Sequence, residues 1–216
     1  MNFEEKVERS RGVIKEAFDR FDRIGIAWTT GKDSTAVLSL VREVFGKVPC
    51  PVLHGDTTVK FDEVYEYRDR MAKEWDLDLR IMKPEIPEGF EIARDRENCC
   101  HLLKTIPAQK TFEELGLEAV IAGIRWDEQR ARRNESYFSR RKTHWRVHPI
   151  LHWSEEDIWR FIKERKIPHN PLYDKGYRSI GCKPCTEPTP EGGTERSGRA
   201  QDKEEIMERL RALGYW

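Results

Sequence analysis

Residues 24–35 read Ile24-Gly25-Ile26-Ala27-Trp28-Thr29-Thr30-Gly31-Lys32-Asp33-Ser34-Thr35. An apolar run gives way to a short polar turn, and apolar positions then resume at Val37, Leu40, Val41 and Val44. Those four keep the i, i+3, i+4, i+7 spacing of one helix face, so the stretch predicts strand, tight turn and helix. That layout binds phosphate, because free N–H groups and the positive end of the helix dipole meet at the turn. Gly31 lets a ligand approach the backbone closely. Lys32 adds a charge, Ser34 and Thr35 add hydroxyls, and Asp33 can orient the turn or reach a metal. The plain alternative is an ordinary strand–helix connection, but Gly-Lys-Asp-Ser at the end of a buried-looking strand favours the phosphate reading.

Around this stretch the bulk properties set bounds. The chain has 216 residues, enough for one α/β domain and a tail, read here as residues 1–185 for nucleotide binding and 186–216 for a tail with a final helix. Lys plus Arg and Asp plus Glu both number 39, so nothing global draws the chain to nucleic acid or membrane, and a basic site must be local. No apolar run reaches membrane-spanning length, and Met1-Asn2-Phe3-Glu4-Glu5-Lys6 does not read as a signal peptide. The expectation is a cytoplasmic protein without a membrane partner. Five cysteines in a reducing compartment point to metal or redox chemistry rather than disulfides.

Along the chain, residues 2–20 predict an amphipathic helix. Strands follow at 24–28, 51–54, 77–82, 119–123 and 147–151, with helices after the first two, at 102–115, after Ser154 and at 202–213. Residues 84–98 and 186–200 read as loops. Alternating strands and helices predict a doubly wound, mainly parallel five-stranded sheet with helices on both faces. Ligands then sit at the carboxyl ends of the strands. That gathers loop 29–35, Asp56-Thr57-Thr58 and Gly123-Ile124-Arg125-Trp126-Asp127.

Thr29-Thr30-Gly31-Lys32-Asp33-Ser34 resembles the PP-loop of the ATP pyrophosphatases, Ser-Gly-Gly-x-Asp-Ser, whose members cleave ATP between its α- and β-phosphates. Thr29 replaces the Ser and Thr30 the first Gly; the second change removes backbone freedom. Asp56-Thr57-Thr58-Val59-Lys60-Phe61 through Tyr65 and Arg68-Asp69 looks like a segment of the phosphoadenosine phosphosulfate (PAPS) reductase family, and is closer to its ATP sulfurylase small subunit. Gly123-Ile124-Arg125-Trp126-Asp127-Glu128 and His148-Pro149-Ile150-Leu151 with Trp153, Asp157, Ile158 and Trp159 are similar to the same proteins. The resemblance runs from about residue 24 to the C-terminus. It implies the adenine nucleotide alpha hydrolase-like fold.

Cys99-Cys100 are adjacent, and Cys182-Lys183-Pro184-Cys185 is a C-x-x-C. Four thiolates suit an iron–sulfur cluster or tetrahedral zinc. Zinc usually takes two C-x-x-C knuckles, which an adjacent pair fits poorly; free thiols are a further alternative. Cys-Cys, a long gap and Cys-x-x-Cys resembles the [4Fe–4S] site of bacterial adenylyl-sulfate (APS) reductases, and residues 171–186 fit those enzymes closely. Reductases of that type attack sulfur with a cysteine in a C-terminal Glu-Cys-Gly-x-His segment, and no cysteine follows Cys185 here. Glu195-Arg196-Ser197-Gly198-Arg199 and the final Gly-Tyr-aromatic resemble the sulfurylase subunit instead.

Arg125, Arg130, Arg132, Arg133, Arg140, Arg141, Lys142 and Arg146 concentrate positive charge. The resemblance assigns this region to nucleotide phosphates and sulfate, which suit bidentate Arg. A solvated helix face and a phosphate-tracking patch for tRNA or DNA are the alternatives. The expected activity is adenylyl transfer from ATP to sulfate or to a nucleic acid being thiolated, with Lys32, Ser34 and Mg2+ neutralising the departing pyrophosphate. Asp33, Arg125 and Asp127 join the catalytic set. Thr29, Thr30, Gly31, Thr35, Asp56, Thr57, Gly123 and Arg133 are expected to bind the adenine nucleotide, and the four cysteines a cluster. A GTPase or sulfur-donor protein is an expected partner, in a homo-oligomer. APS or PAPS reduction with thioredoxin is the second reading, and a non-catalytic cluster-bearing subunit the third.

Overall fold

The computed structural model describes residues 1–214. Tyr215 and Trp216, the end of the tail motif, lie outside the described residues. Helix α1 spans Phe3–Arg20, its start closed by a reciprocal box between Asn2 and Glu5. Strand β1 is Ile24–Ala27, and helix α2 is Lys32–Phe45, ended by Gly46 at φ 77°. Next come β2 (Val52–Gly55), α3 (Asp62–Glu74) and β3 (Leu79–Met82). Helix α4, Arg96–Cys100, runs through a π-helical turn at His101–Thr105 into α5, Ile106–Glu114. Strands β4 (Ala119–Ala122), β5 (Phe138–Arg140) and β6 (Trp145–Val147) precede α6, Glu155–Glu164. The chain ends in α7 (Gln201–Glu205) and α8 (Met207–Ala212).

The sheet order is β3-β2-β1-β4-β6-β5, parallel except for β5 against β6. Among the described residues it therefore has six strands rather than five. The extra edge strand lies inside the basic segment and pairs Phe138 with Val147 and Arg140 with Trp145. Three residues with an arginine carry no strand pattern; the pairing makes them one. The strand expected at 147–151 stops at Val147, and Pro149, with no N–H to donate, follows.

Helices cover both faces. Helix α2 packs between α1 and α6 on one side, burying Val7, Ile14, Val37, Leu40 and Phe161 against Ile26 and Ile121. On the other side Phe112 of α5 meets Leu53, Val120 and Met82. The strand order reverses between β1 and β4, and that crevice is where a doubly wound sheet receives a ligand. Among the described residues no helix is long and apolar enough to cross a membrane.

Candidate functional site

Loop 29–35 lies at that crevice. Ser34 Oγ accepts the Thr29 N–H and donates to the Gly31 carbonyl, each at 3.1 Å, which folds the loop onto the start of α2. Thr30 takes the left-handed conformation, φ 66°, that the motif's glycine reaches freely. Its hydroxyl is buried without a partner. Thr35 faces inward and accepts the Trp28 indole N–H at 3.0 Å. The Lys32 N–H donates to the Tyr173 hydroxyl at 2.6 Å. A Cβ on Gly123 would stand 2.8 Å from the backbone of Asp33 and Ser34, so only glycine lets the end of β4 pack against this turn.

Behind the loop is a network of buried charges. Lys32 Nζ donates to Glu195 at 2.5 Å and to the Arg178 carbonyl at 2.8 Å, and lies 3.4 Å from Asp33. Arg125, fully buried, gives Nε to Asp33, Nη1 to Asp127 and Nη2 to Glu195, each at 2.5 Å. Burial alone would raise the Asp33 carboxyl, but Lys32 and Arg125 outweigh it and bring it to about 2. Burial opposes the charge on Lys32, yet Asp33 and Glu195 hold it above the ordinary lysine range. Asp127 sits higher than usual, from burial and from Glu195 and Asp33 nearby, despite Arg125. Both Asp33 oxygens face cations, Oδ1 toward Arg125 and Oδ2 toward Lys32.

In front of the loop is a cavity of about 250 Å3. It runs from Thr29, Lys32 and Ser34 past Thr57 and Gly123 to Cys182. Lys60, Lys104, Arg132, Arg146, Arg196 and Arg199 surround it, and Leu53, Met82, Ala108 and Phe112 form an apolar recess. Arg146 is buried; its Nε donates to His144 Nε2 at 2.8 Å, and its guanidinium lies over the Phe112 ring. Burial and Arg141 bring Arg146 down to about 9. Burial, with Arg146 and Arg141, brings His144 down to about 3, so it accepts as a neutral ring.

The four paired cysteines gather beside this cavity. All are buried, and Cys99 feels the charge of Cys100, Cys182 and Cys185. Each end of the set has donors: Ala93 N–H to Cys99, Arg96 to Cys185 and the Thr57 hydroxyl beside Cys182. Burial would raise the Cys182 thiol, but Lys104, Lys60, Thr57 and Lys203 outweigh it and bring it to about 6. Cys99 moves the other way, its thiol raised by burial and by the neighbouring cysteines. The N–H, guanidinium and hydroxyl donors around the sulfurs are the kind that suit an anionic cluster. Among the described residues no three His, Cys, Asp or Glu side chains close tightly around a point for one ion. Cys50 is half-buried against the main core, its thiol pushed up to about 12 by burial.

Of the residues singled out in the sequence, Thr29, Gly31, Lys32, Asp33, Ser34, Thr57, Gly123, Arg132, Arg146 and Cys182 line the cavity, while Cys99, Cys100 and Cys185 do not. Thr30, Thr35, Arg125 and Asp127 stand outside its wall. Asp56 does too, accepting the Tyr65 hydroxyl and the Thr58 N–H at 2.9 Å. Arg133 lies at a separate basic depression with Arg130, Asn134 and Arg211. Sequence reasoning gave no role to Glu195, Glu155 or Tyr173. Glu195 had a signal, as the acid opening the Glu-Arg-Ser-Gly-Arg motif.

The phosphoadenosine phosphosulfate reductase domain model matches residues 23–188. An adenosine 5'-phosphosulfate reductase of Halalkalibacterium halodurans is 34% identical, covering 88% of this chain and 86% of its own. Sulfate adenylyltransferase subunit 2 of Rhizobium meliloti is 32% identical, covering 78% of this chain and 66% of its own. The solved phosphoadenylyl-sulfate reductase of Candida auris, a phosphate complex, superposes with a TM-score of 0.70 at 22% identity, over 82% of this chain and 90% of that one.

Proposed function

The chain belongs to the phosphoadenosine phosphosulfate reductase domain family, and from that premise we propose that it is an enzyme of sulfate assimilation that adenylylates an acceptor with ATP. The nucleotide phosphates lie against loop 29–35, and the base enters the recess of Leu53, Met82 and Phe112. A sulfate oxygen attacks the α-phosphorus, the bond between α-phosphorus and bridging oxygen breaks, and pyrophosphate leaves. No side chain has to move a proton, because sulfate attacks as the anion. Catalysis is then positioning and charge stabilisation by Lys32, Ser34 and the arginines of the cavity wall.

The observation that carries this reading is the single cavity joining Lys32 and Ser34 to Arg132, Arg196 and Arg199. It offers loop and basic wall to the two ends of one anionic complex. Cys99, Cys100, Cys182 and Cys185 would hold a [4Fe–4S] cluster, which supplies a site to position or carry sulfur. Cys182 on the cavity wall favours one second reading, thioredoxin-dependent reduction of APS or PAPS.

Anaerobically purified protein, expected to be brown, separates the two. With ATP, sulfate and inorganic pyrophosphatase to draw the reaction forward, APS should form, and Ser34→Ala should slow it at least tenfold. A parallel assay replaces sulfate with bulk tRNA to test the acceptor. Sulfite from APS and reduced thioredoxin, with no turnover of ATP, would reject adenylyl transfer and support reduction. A colourless, iron-free protein would remove the cluster from both readings.

A further inference from the structure

The lysine that a pyrophosphate end would meet already holds a carboxylate from a distant part of the chain. Glu195 stands in a turn closed on itself, with Ser197 N–H on the Thr194 carbonyl at 3.1 Å and Thr194 N–H on Ser197 Oγ at 2.8 Å. Its side chain is 11% exposed. Oε1 accepts from Lys32 at 2.5 Å, and both oxygens accept from Arg125 at 2.7 and 2.5 Å.

The surrounding network is not short of acid. Lys32, Arg125 and Arg178 face Asp33, Asp127, Glu155 and Glu195, three cations against four carboxylates. Among these seven residues the carboxylates exceed the cations by one, so Lys32 is already matched by acid before a phosphate arrives. A phosphate gains Lys32 only if a carboxylate gives it up. Asp33 and Glu155 are fixed in the first turns of α2 and α6. Asp127 pairs with Arg125 and accepts from the Glu155 backbone, and among the described residues it is not ion-paired to Lys32. Glu195 touches both buried cations and sits in neither helix nor strand, just after Gly192, at φ 70°, and Gly193.

We propose that Glu195 sets how tightly loop 29–35 takes the pyrophosphate end of a nucleotide. It holds Lys32 in an internal ion pair and is displaced, with its turn, when phosphate takes the ammonium over. This rests on the ATP-binding reading above. The apparent affinity for ATP is then the intrinsic affinity reduced by the fraction of molecules with Lys32 released. AMP, which lacks the pyrophosphate end, does not compete with Glu195. The carboxylate so favours short nucleotides over triphosphates until enough binding energy is gathered elsewhere in the cavity.

Titration calorimetry on the anaerobic holoprotein tests this with ATP, inorganic pyrophosphate and AMP. Glu195→Gln should bind ATP and pyrophosphate about tenfold tighter with AMP unchanged. Glu155→Gln, which removes an equal charge 3.9 Å from the same ammonium, should change them no more than about twofold. Equal tightening in both variants, tightening for AMP as well, or no tightening overturns the proposal. A wild-type measurement covers the case in which Glu195→Gln fails to fold. Hydrogen exchange over residues 190–198 should quicken when pyrophosphate is added, and unchanged or slower exchange overturns displacement. If neither wild type nor variant binds ATP, the ATP reading itself falls; if all bind it alike, only the role of Glu195 does.

Discussion

Positive charge is held in opposite ways on the two walls of the cavity. Behind loop 29–35, Lys32 and Arg125 each sit on carboxylates, with one acid more than there are bases. On the wall made by β6 and α5, no ion pair to a carboxylate is found for Arg146 among the described residues, and its Nε leans on a neutral His144. A chain of zero net charge has thus separated its charges locally. The acid-rich wall is complete without a ligand and has to be opened. On the other wall Arg132 and Arg196 pair with Glu128 and Glu204, and Arg146 alone among these three has no carboxylate in an ion pair among the described residues, so it is the charge an anion would gain there. An anionic complex spanning both would bind first at the basic wall and then compete for Lys32.

The largest expected effect comes from removing the hub of each wall. Arg125→Leu leaves Asp33, Asp127 and Glu195 without their shared partner and should cost about 3–5 kcal/mol of stability. Arg125→Lys should recover less than half, since one ammonium does not match a planar fork reaching three carboxylates. Arg146→Leu removes a buried charge on which the acid Glu135 acts only at a distance, so its loss should be within about 1 kcal/mol of neutral. Urea unfolding of the three variants checks this. Comparable losses for Arg125→Leu and Arg146→Leu would erase the distinction between the walls.

The next effect is on pH. His144 is held down at about 3, and His148 and His54 are also lowered, each chiefly by burial, with nearby cations adding. In the unfolded chain these rings titrate near about 6.5. Between the two values the unfolded state binds more protons, so stability falls as pH drops through about 6.5. Asp33, lowered to about 2, acts in the opposite window. Its contribution is whole above the unfolded value of about 3.9 and is lost only as pH falls toward 2. Urea midpoints at pH 7 and pH 5 therefore report on the buried histidines together, His152 included, and a variant is needed to isolate His144. His144→Asn, which keeps an acceptor for Arg146 but does not titrate, should lose less stability across that interval than wild type. Equal losses would move the source to other histidines.

Much of this fold was legible where pattern and burial agree. The apolar runs at 24–28 and 119–123 became the two central strands, and the spacing of Val37, Leu40 and Val41 gave α2 its buried face. What escaped depends on pairing across sequence. Phe138–Arg140 is a strand only because β6 lies beside it. Arg96–Cys100 sits at the end of a stretch rich in charge and proline, yet is a helix capped by Asp95. The final helix breaks at Ile206 into two short ones. Within the site, loop 29–35 announced itself by local chemistry. Arg125 was legible as a conspicuous residue but not as a fully buried hub, since three carboxylates from three segments decide that. Glu195 acts 163 positions from Lys32, a separation that no local pattern spans.

The smallest effect concerns Thr30, where the loop motif has glycine. A β-branched residue at φ 66° bears roughly 1–2 kcal/mol of local strain. Glycine would relieve it while losing about 0.5–1 kcal/mol to chain entropy. Thr30 also buries a hydroxyl with no partner, a further penalty. Thr58, at φ 64° in the loop after β2, shares the strain but is exposed. Thr30→Gly should therefore stabilise the protein by about 1 kcal/mol, and Thr58→Gly by only a few tenths. The difference between them isolates the buried hydroxyl. Equal gains in thermal unfolding would mean that Thr30 Oγ1 is satisfied in solution and that strain alone sets the cost of threonine at this position. A loss on Thr30→Gly would mean that the threonine stiffens the loop that Lys32 and Ser34 need, tying its conformation to the acid-rich wall behind it.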